Sequence, residues 1–361
     1  MRNSLVPKVL IALISLIVAC SSDDKKPDDQ EPIITDDFIR AADVSFLPEA
    51  ESAGAIYRVD GVPQNALITL KNAGCNMIRI RVWHTPTNIH SSLTEAKILS
   101  QRARQNGMKV WLTVHYSDTW ADPGHQSKPA AWNGFNFVQL KEAMNNYTAQ
   151  LLQEIQPDVI QIGNEINVGL LFPEGHLIQN EAQCVELLQS AAQVVRQNRP
   201  QTKIMIHYAG LNGSDWFFNK MTTIDYDYIG ISYYPIWHGK NLQTLSNTIT
   251  QLGSTHNKKV IIAETAYPFT LGWNDWTNNI VGLEEQLVPG YPATPQGQKE
   301  FLNEIKNIIK SSDHGLGFTY WAPEWISFRG NQATNGSTWE NQALWDFDNN
   351  VLPAMEVFKK D

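Results

Sequence analysis

Two short runs place a glutamate where an apolar segment stops. DVIQIGNE ends in Gly163-Asn164-Glu165, and KVIIAETA carries Glu264 between Ala263 and Thr265. A carboxylate most often sits on solvated surface, so one that closes an apolar run needs a reason to be there. Two such carboxylates facing each other suit a reaction that needs one acid and one nucleophile. Glycoside hydrolysis with retention asks for this pair, with carboxyl groups about 5 to 5.5 Å apart. Asn164, directly before the first glutamate, would hydrogen-bond a sugar hydroxyl and brace the transition state. Other apolar runs end in Arg79, Arg81, Trp83 and His84, in His115, Asp118, Trp120 and Asp122, in Tyr233 and Tyr234, and in Trp321 and Glu324. An Arg and a Tyr beside Glu264 would keep it ionised, while His115 could bond sugar hydroxyls. Trp321 would form a floor under the reacting ring. A metal-dependent hydrolase would need several His ligands converging on one mouth. His84, His115 and His207 are available, but no paired His closes the first run.

These residues need elements that bring run ends together. Strand-like runs occur at 39–46, 76–83, 109–116, 158–165, 203–209, 227–235, 259–266 and 315–323, each rich in Val, Ile, Tyr or Trp. Helical periodicity fills the intervals, clearest in 92–106, 137–155, 181–198, 240–256 and 297–312. Asn106-Gly107, Gln156-Pro157 and Asn198-Arg199-Pro200 are stop signals before the next run. Strand then helix, eight times over, predicts one α/β domain, a (β/α)8 TIM barrel with catalytic groups at the carboxyl ends of its strands. A doubly wound open sheet is disfavoured, because the first strand runs into ADVSFLPEAE, with no glycine-rich phosphate loop.

Composition narrows the partners. The chain has 361 residues, 42% hydrophobic and 18% charged, enough apolar content to bury a large core and exclude disorder. Net charge is -9, which argues against nucleic acid, since phosphate binding needs clustered Lys and Arg. Twelve tryptophans exceed ordinary core use and suggest planar surfaces for stacking sugars. Only the first twenty residues hold a long apolar run. MRNSLVPKVLIALISLIVAC has a basic start and an apolar stretch too short to span a membrane. It predicts a signal peptide over 1–19, ending in a sequence that resembles a bacterial lipobox, with Cys20 the lipidated residue. A polar tether over 20–37 (SSDDKKPDDQEP in its first part) then leads to a barrel over 38–361. Acidic residues just after the lipidated Cys resemble the surface-export signal of Gram-negative glycan degraders. The expected location is therefore the outer membrane, facing outward. Cys75 and Cys184 remain and read as two buried free thiols.

ADVSFLPEAESAGAIYRVDG, LKNAGCNMIRIRVWHTP, HYSDTWADPGHQSKPAAW, QIGNEINVGLL, ETAYPFT and WENQALWDF, in that order, resemble family 53 glycoside hydrolases, the endo-β-1,4-galactanases of retaining clan A. The resemblance runs from about Ala41 to the C-terminus. It implies Glu165 as acid/base, Glu264 as nucleophile, and β-1,4-galactan, such as pectic arabinogalactan side chains and their galacto-oligosaccharides, as substrate. The candidate substrate-binding residues are Asn164, Arg79, Trp83, His84, His115, Asp118, Trp120, Tyr233, Trp321 and Trp345. No cofactor is required. Some bacterial members carry a calcium loop of pattern Asp-x-Asp-x-His-x-Asn after strand seven. Here Trp273 and Thr277 replace the first Asp and the His, leaving Asp275 and Asn279, fewer oxygens than the six to eight that calcium takes unless backbone carbonyls and waters supply the rest of a structural site. Calcium is therefore not expected, and Trp273 and Trp276 could instead widen or cap the sugar cleft. Two other readings stand beside this one: another clan A activity, such as mannanase or cellulase, and a surface glycan-binding lipoprotein that no longer catalyses. A tethered hydrolase is expected to be a monomer.

Overall fold

The computed structural model describes Phe38–Lys360. The expected signal peptide, Cys20 and the tether lie outside the described residues. Eight parallel strands close on themselves: β1 (Ile39–Asp43), β2 (Met77–Val82), β3 (Lys109–Val114), β4 (Val159–Ile162), β5 (Lys203–Ala209), β6 (Tyr228–Ser232), β7 (Lys259–Thr265) and β8 (Gly315–Trp321). β1 pairs with both β2 and β8, so no edge is left open. This is the (β/α)8 barrel the sequence pattern predicts. β1, β4 and β6 each stop three residues earlier than their runs suggest, at Asp43, Ile162 and Ser232. Residues past those points leave the ladder to build the mouth; Glu165, for example, has φ 48°.

Between the strands lie α1 (Leu47–Ser52), α2 (Ala66–Ala73), α3 (Leu93–Gln105), α4 (Phe137–Ile155), α5 (Glu181–Asn198), α6 (Ser214–Lys220), α7 (Pro235–His238), α8 (Leu242–His256) and α9 (Pro295–Lys310). The five long ones match the periodic segments. Side-chain caps set the starts of four of them: Ser92 for α3, Asn241 for α8, Thr294 for α9, and a reciprocal Asn136–Gln139 box for α4. α1, α2, α6 and α7 are too short to show a helical period, as is the hairpin pairing Arg58–Val59 with Val62–Pro63.

Alternation sorts the barrel's inside into two levels. Ile39, Ala41, Met77, Trp111, Val159, Met205, Ile261 and Ala263 form an apolar cluster distinct from the main core, the packed floor of the barrel. One inward step further along, Asp43, Arg79, Gln161, His207 and Ser232 replace apolar side chains with polar ones, all buried. β7 departs from strict alternation. Ile262 pairs with Ile231 of β6 and Phe318 of β8, yet the next pairs are Glu264 with Ser232 and Thr265 with Tyr320. β7 therefore holds one residue more than its neighbours, a bulge that resets which residues point inward. Ala263 joins the apolar floor, and Glu264, directly after it, still reaches the mouth.

Candidate active site

Glu264 is 6% exposed and held from two sides. Arg79 Nη2 donates to its Oε1 at 2.7 Å, and the Tyr234 hydroxyl donates to its Oε2 at 2.9 Å. Arg79 is itself fixed: Nη1 donates to Asp43 Oδ2 at 2.7 Å, and Nη2 also reaches Asn164 Oδ1 at 2.9 Å. Asp43 accepts the Ser45 hydroxyl and backbone N–H on its other oxygen. Burial raises the pKa of Glu264, while the Arg79 cation and the Tyr234 hydrogen bond pull it back toward the ionised form.

Glu165 sits in a different environment. It follows Gly163, whose φ of 80° suits glycine; a Cβ there would stand 2.5 Å from Ile166 Cγ2. The left-handed φ of Glu165 is unusual for a residue with a Cβ and turns its side chain back over the mouth. Among the described residues no cation bonds its carboxyl. Ser232 donates to Oε1 at 2.6 Å, and burial, with Glu264 nearby, pushes the pKa up to about 8. One carboxylate oxygen of each glutamate lies within 4.8 Å of the other. The neighbouring pair therefore divides its work: the first proton settles on Glu165, and Glu264 stays the anion.

These groups open into a cleft of about 550 Å³. Trp120, Trp237, Trp321, Trp325 and Trp339 line it, five of the twelve tryptophans, which answers the surplus seen in the composition. His115 faces the cleft with Nδ1 accepting the Ala121 N–H at 2.9 Å, so its proton is on Nε2, available to a ligand oxygen. Burial holds this ring well below the ordinary His pKa, and it is neutral. Asn164 donates to Ala121 O and accepts from Arg79 and Gln161, so its amide orientation is set by the network.

Of the candidate substrate-binding residues, Arg79, His115, Trp120, Asn164 and Trp321 line the cleft. Five others do not, and each is corrected here. Tyr233 is fully buried, its hydroxyl donating to Gly239 O. Strand alternation places Ser232 and Tyr234 on the inward side and Tyr233 between them on the outer one, so Tyr234 holds the position expected of Tyr233. Trp345 is fully buried with its ring 4.9 Å from that of Tyr57. Trp83 is half-buried and absent from the cleft lining, its ring edge-on to Trp120 at 5.4 Å. His84 faces a separate hollow beside Trp132 and Tyr147. Asp118 accepts the backbone N–H groups of Thr85 and Ala130, tying two loops together. Sequence reasoning missed Asp43, Gln161, Ser232, Trp237 and Trp339. Asp43, Gln161 and Ser232 could have been found by carrying strand parity through each run. Trp237 sits on the short α7 and Trp339 in a turn, where no periodicity announces them.

The donor set after β7 does not fit calcium. Asp275 accepts the Thr277 N–H on one oxygen and the Ser327 hydroxyl on the other. Glu340 accepts the N–H groups of Asn274 and Asp275, and Thr277 Oγ1 bridges Ala333 O and Gly336 N. Hydrogen bonds already hold the loop. Of the buried side-chain oxygens in this loop, Asn279 Oδ1 and Glu340 Oε2 have no partner, two where calcium takes six to eight ligands. Trp273 and Trp276 are exposed and do not line the cleft, so they neither widen nor cap it. Glu165, His207 and Glu264 cluster closely enough for a metal, but both His207 nitrogens are engaged in hydrogen bonds. Cys75 and Cys184 are buried free thiols.

Comparison with known proteins agrees with this geometry. The chain is 37% identical over 344 residues to an arabinogalactan endo-β-1,4-galactanase of Cellvibrio japonicus, covering 90% of this chain and 91% of that one. It is 30% identical to an endo-β-1,4-galactanase of Bacillus subtilis, covering 90% and 86%. The family 53 catalytic domain from Ignisphaera aggregans superposes with a TM-score of 0.85 at 36% identity, over 91% of this chain and 97% of that one. A fungal β-1,4-galactanase structure gives 0.77 at 31% identity, over 90% and 99%. The profile of Glycosyl hydrolase family 53 matches residues 39–358. With 320 of its residues inside that match, the chain belongs to glycosyl hydrolase family 53.

Proposed function

We propose that this chain is an endo-β-1,4-galactanase that cleaves (arabino)galactan by double displacement, with Glu264 as nucleophile and Glu165 as acid/base. The observation that carries this reading is the unequal pair: two carboxyl groups with oxygens within 4.8 Å, one bonded by a cation and one not. In the first step Glu264 Oε attacks the anomeric carbon as the C–O bond to the leaving sugar breaks. Glu165 gives its proton to that departing oxygen. In the second step Glu165, now a carboxylate, takes a proton from water; the water oxygen bonds the anomeric carbon, and Glu264 leaves as a carboxylate. Proton donor and acceptor are the same group, so the site returns to its starting state.

Galactan is supported by relatives named as galactanases at 30–37% identity over nearly the whole chain. A β-1,4-mannanase of family 113 shares the barrel at 14% identity with a TM-score of 0.51, a likeness of fold alone. Release of reducing ends from β-1,4-galactan, measured beside mannan and cellulose, tests the substrate; cleavage of mannan or cellulose in preference would overturn it. A pure glycan binder has no use for an acid and a nucleophile held in opposite protonation states, which favours catalysis over the binding-only reading.

The lipobox-like IVAC and the acidic residues after Cys20 support a surface-anchored lipoprotein. No described helix is long and apolar enough to cross a membrane, so anchoring would rest on the lipid. Cys20→Ser should shift the protein from the membrane to the soluble fraction with its specific activity kept. Unchanged membrane association would overturn this assignment.

A further inference from the structure

The protein touches the two oxygens of Glu165 unequally. Oε1 takes the hydrogen bond from Ser232, while among the described residues no protein group bonds Oε2. The direction of the Ser232 bond is decided one residue further away. His207 Nδ1 lies 3.2 Å from the backbone N of Glu165, 2.9 Å from Gln161 Nε2 and 3.2 Å from Asn164 Oδ1. Gln161 is oriented by Arg79 on its oxygen and by Gly163 O on its nitrogen, so that nitrogen is a donor. The Glu165 N–H can only donate, and with the Gln161 amide it outweighs the single oxygen of Asn164, so Nδ1 accepts and the ring proton lies on Nε2, 2.9 Å from Ser232 Oγ. A hydroxyl has a single proton. With His207 donating to its oxygen, Ser232 directs that proton to Glu165.

We propose that His207 and Ser232 are positioning residues that confine the acid/base proton to Oε2 of Glu165. Neutral His207 fixes the Ser232 hydroxyl as a donor to Oε1, so the transferable proton sits on the oxygen left free for the glycosidic bond. The same ring accepts the N–H of Glu165 and so holds its left-handed backbone, aligning carboxyl and main chain from one imidazole. This inference rests on Glu165 being the acid/base. Burial and the charge of Arg79 hold His207 well below the ordinary His pKa, which keeps this tautomer neutral across the working range.

Other charged or titratable groups also face Glu165: Glu264 from β7, Arg79 from β2, Asp122 from the loop after β3, and Tyr234 after β6. None of them is altered by changing Ser232, so a shift seen in that variant reports the Ser232 bond. The bond favours the ionised carboxylate, and its loss should raise the pKa of Glu165 by about one pH unit.

The test uses the full chain and two readouts. One is the carboxyl ¹³C titration of Glu165, its resonance identified by its loss in Glu165→Gln. The other is the basic limb of kcat/KM on β-1,4-galactan. In Ser232→Ala both should move upward together, and Ser232→Thr, which keeps the hydroxyl, should bring both back. His207→Asn should move the titration upward by itself and add nothing in the Ser232→Ala background. A merely structural pair would lower kcat or stability and leave the titration where it was. An unmoved or downward titration in Ser232→Ala, or additive shifts in the double variant, would overturn the proposal. The NMR titration needs no turnover, so failure of the galactanase reading, seen as no cleavage of galactan by the unaltered chain, is distinguishable from failure of this one.

Discussion

Arg79 Nη2 stands 2.7 Å from Glu264 Oε1, while the other terminal nitrogen of the same guanidinium stands 2.7 Å from Asp43. Both ion pairs are buried, and one cation serves two carboxylates. Arg79→Ala would leave two anions facing each other in a dry site. Breaking a buried pair in this way costs about 3–5 kcal/mol of stability. Glu264 would then ionise at higher pH, so the acidic limb of kcat/KM should move upward and activity at neutral pH should fall about 100-fold or more. Thermal unfolding and a pH–rate profile check both; an unmoved acidic limb would contradict the role given to Arg79.

Glu264→Ala and Glu165→Ala should differ in kind. Without the nucleophile no glycosyl-enzyme forms, and activity should vanish on every substrate. Without the acid, galactan cleavage should fall roughly 10²- to 10⁴-fold, while an aryl galactoside with a good leaving group still forms the intermediate. Added azide should then rescue turnover of the Glu165 variant and give a galactosyl azide. Equal losses on both substrates with no azide effect would reverse or remove the assignment.

The high pKa of Glu165 sets two pH effects. As pH rises through about 8 the acid loses its proton, so galactan cleavage should decline there, and Glu165→Gln should lack that limb altogether. Stability follows the same sign. The folded chain holds this proton more tightly than the unfolded one, whose glutamate has a pKa of about 4.3. The stabilisation is complete below that value and is lost as pH climbs toward about 8. Near pH 8 the Tm of Glu165→Gln should exceed that of the unaltered chain, and the two should converge in acid. Calorimetry at both ends of the range checks this.

Stereochemistry gives an independent check. Carboxylate oxygens within 4.8 Å leave no room for water between Glu264 and the sugar, so the first attack must be by Glu264 itself. Two inversions return the anomeric carbon to its starting configuration. Proton NMR in the first minutes, before mutarotation, should show the β-anomer. An initial α-anomer would require carboxyl groups roughly 6.5 to 9.5 Å apart.

What could be read from the sequence, and what could not, follows from periodicity. All eight strands announced themselves because buried parallel strands are nearly continuous apolar runs, and a glutamate closing such a run stands out. Side-chain direction was harder at the run ends. Tyr233 and Tyr234 are both tyrosines at the end of one strand, and only strict parity tells the buried one from the one on Glu264. Trp83 and Trp120 are equally plausible platforms by composition, yet only Trp120 lines the cleft. Trp237 comes from the short α7 and Trp339 from a turn, segments whose path is set by long-range contacts that leave no mark on local sequence. Ser232 and His207 read as ordinary inward strand residues. Their part depends on two hydrogen bonds across neighbouring strands.

The bulge in β7 makes the inside of this barrel a matter of counting. Ala263 and Glu264 both turn inward because the strand carries one residue beyond its neighbours' register. Without the bulge, and with every residue kept, simple alternation would swing the carboxylate out toward the helices, while eight strands could still pair and close. Shape and catalysis are thus written at different grain: the fold in the apolar character of whole runs, the nucleophile in whether a single count is odd or even. Among chains that share this barrel, the register of this strand just before its carboxylate bears more on whether sugar bonds are broken than many substitutions across the outer helices.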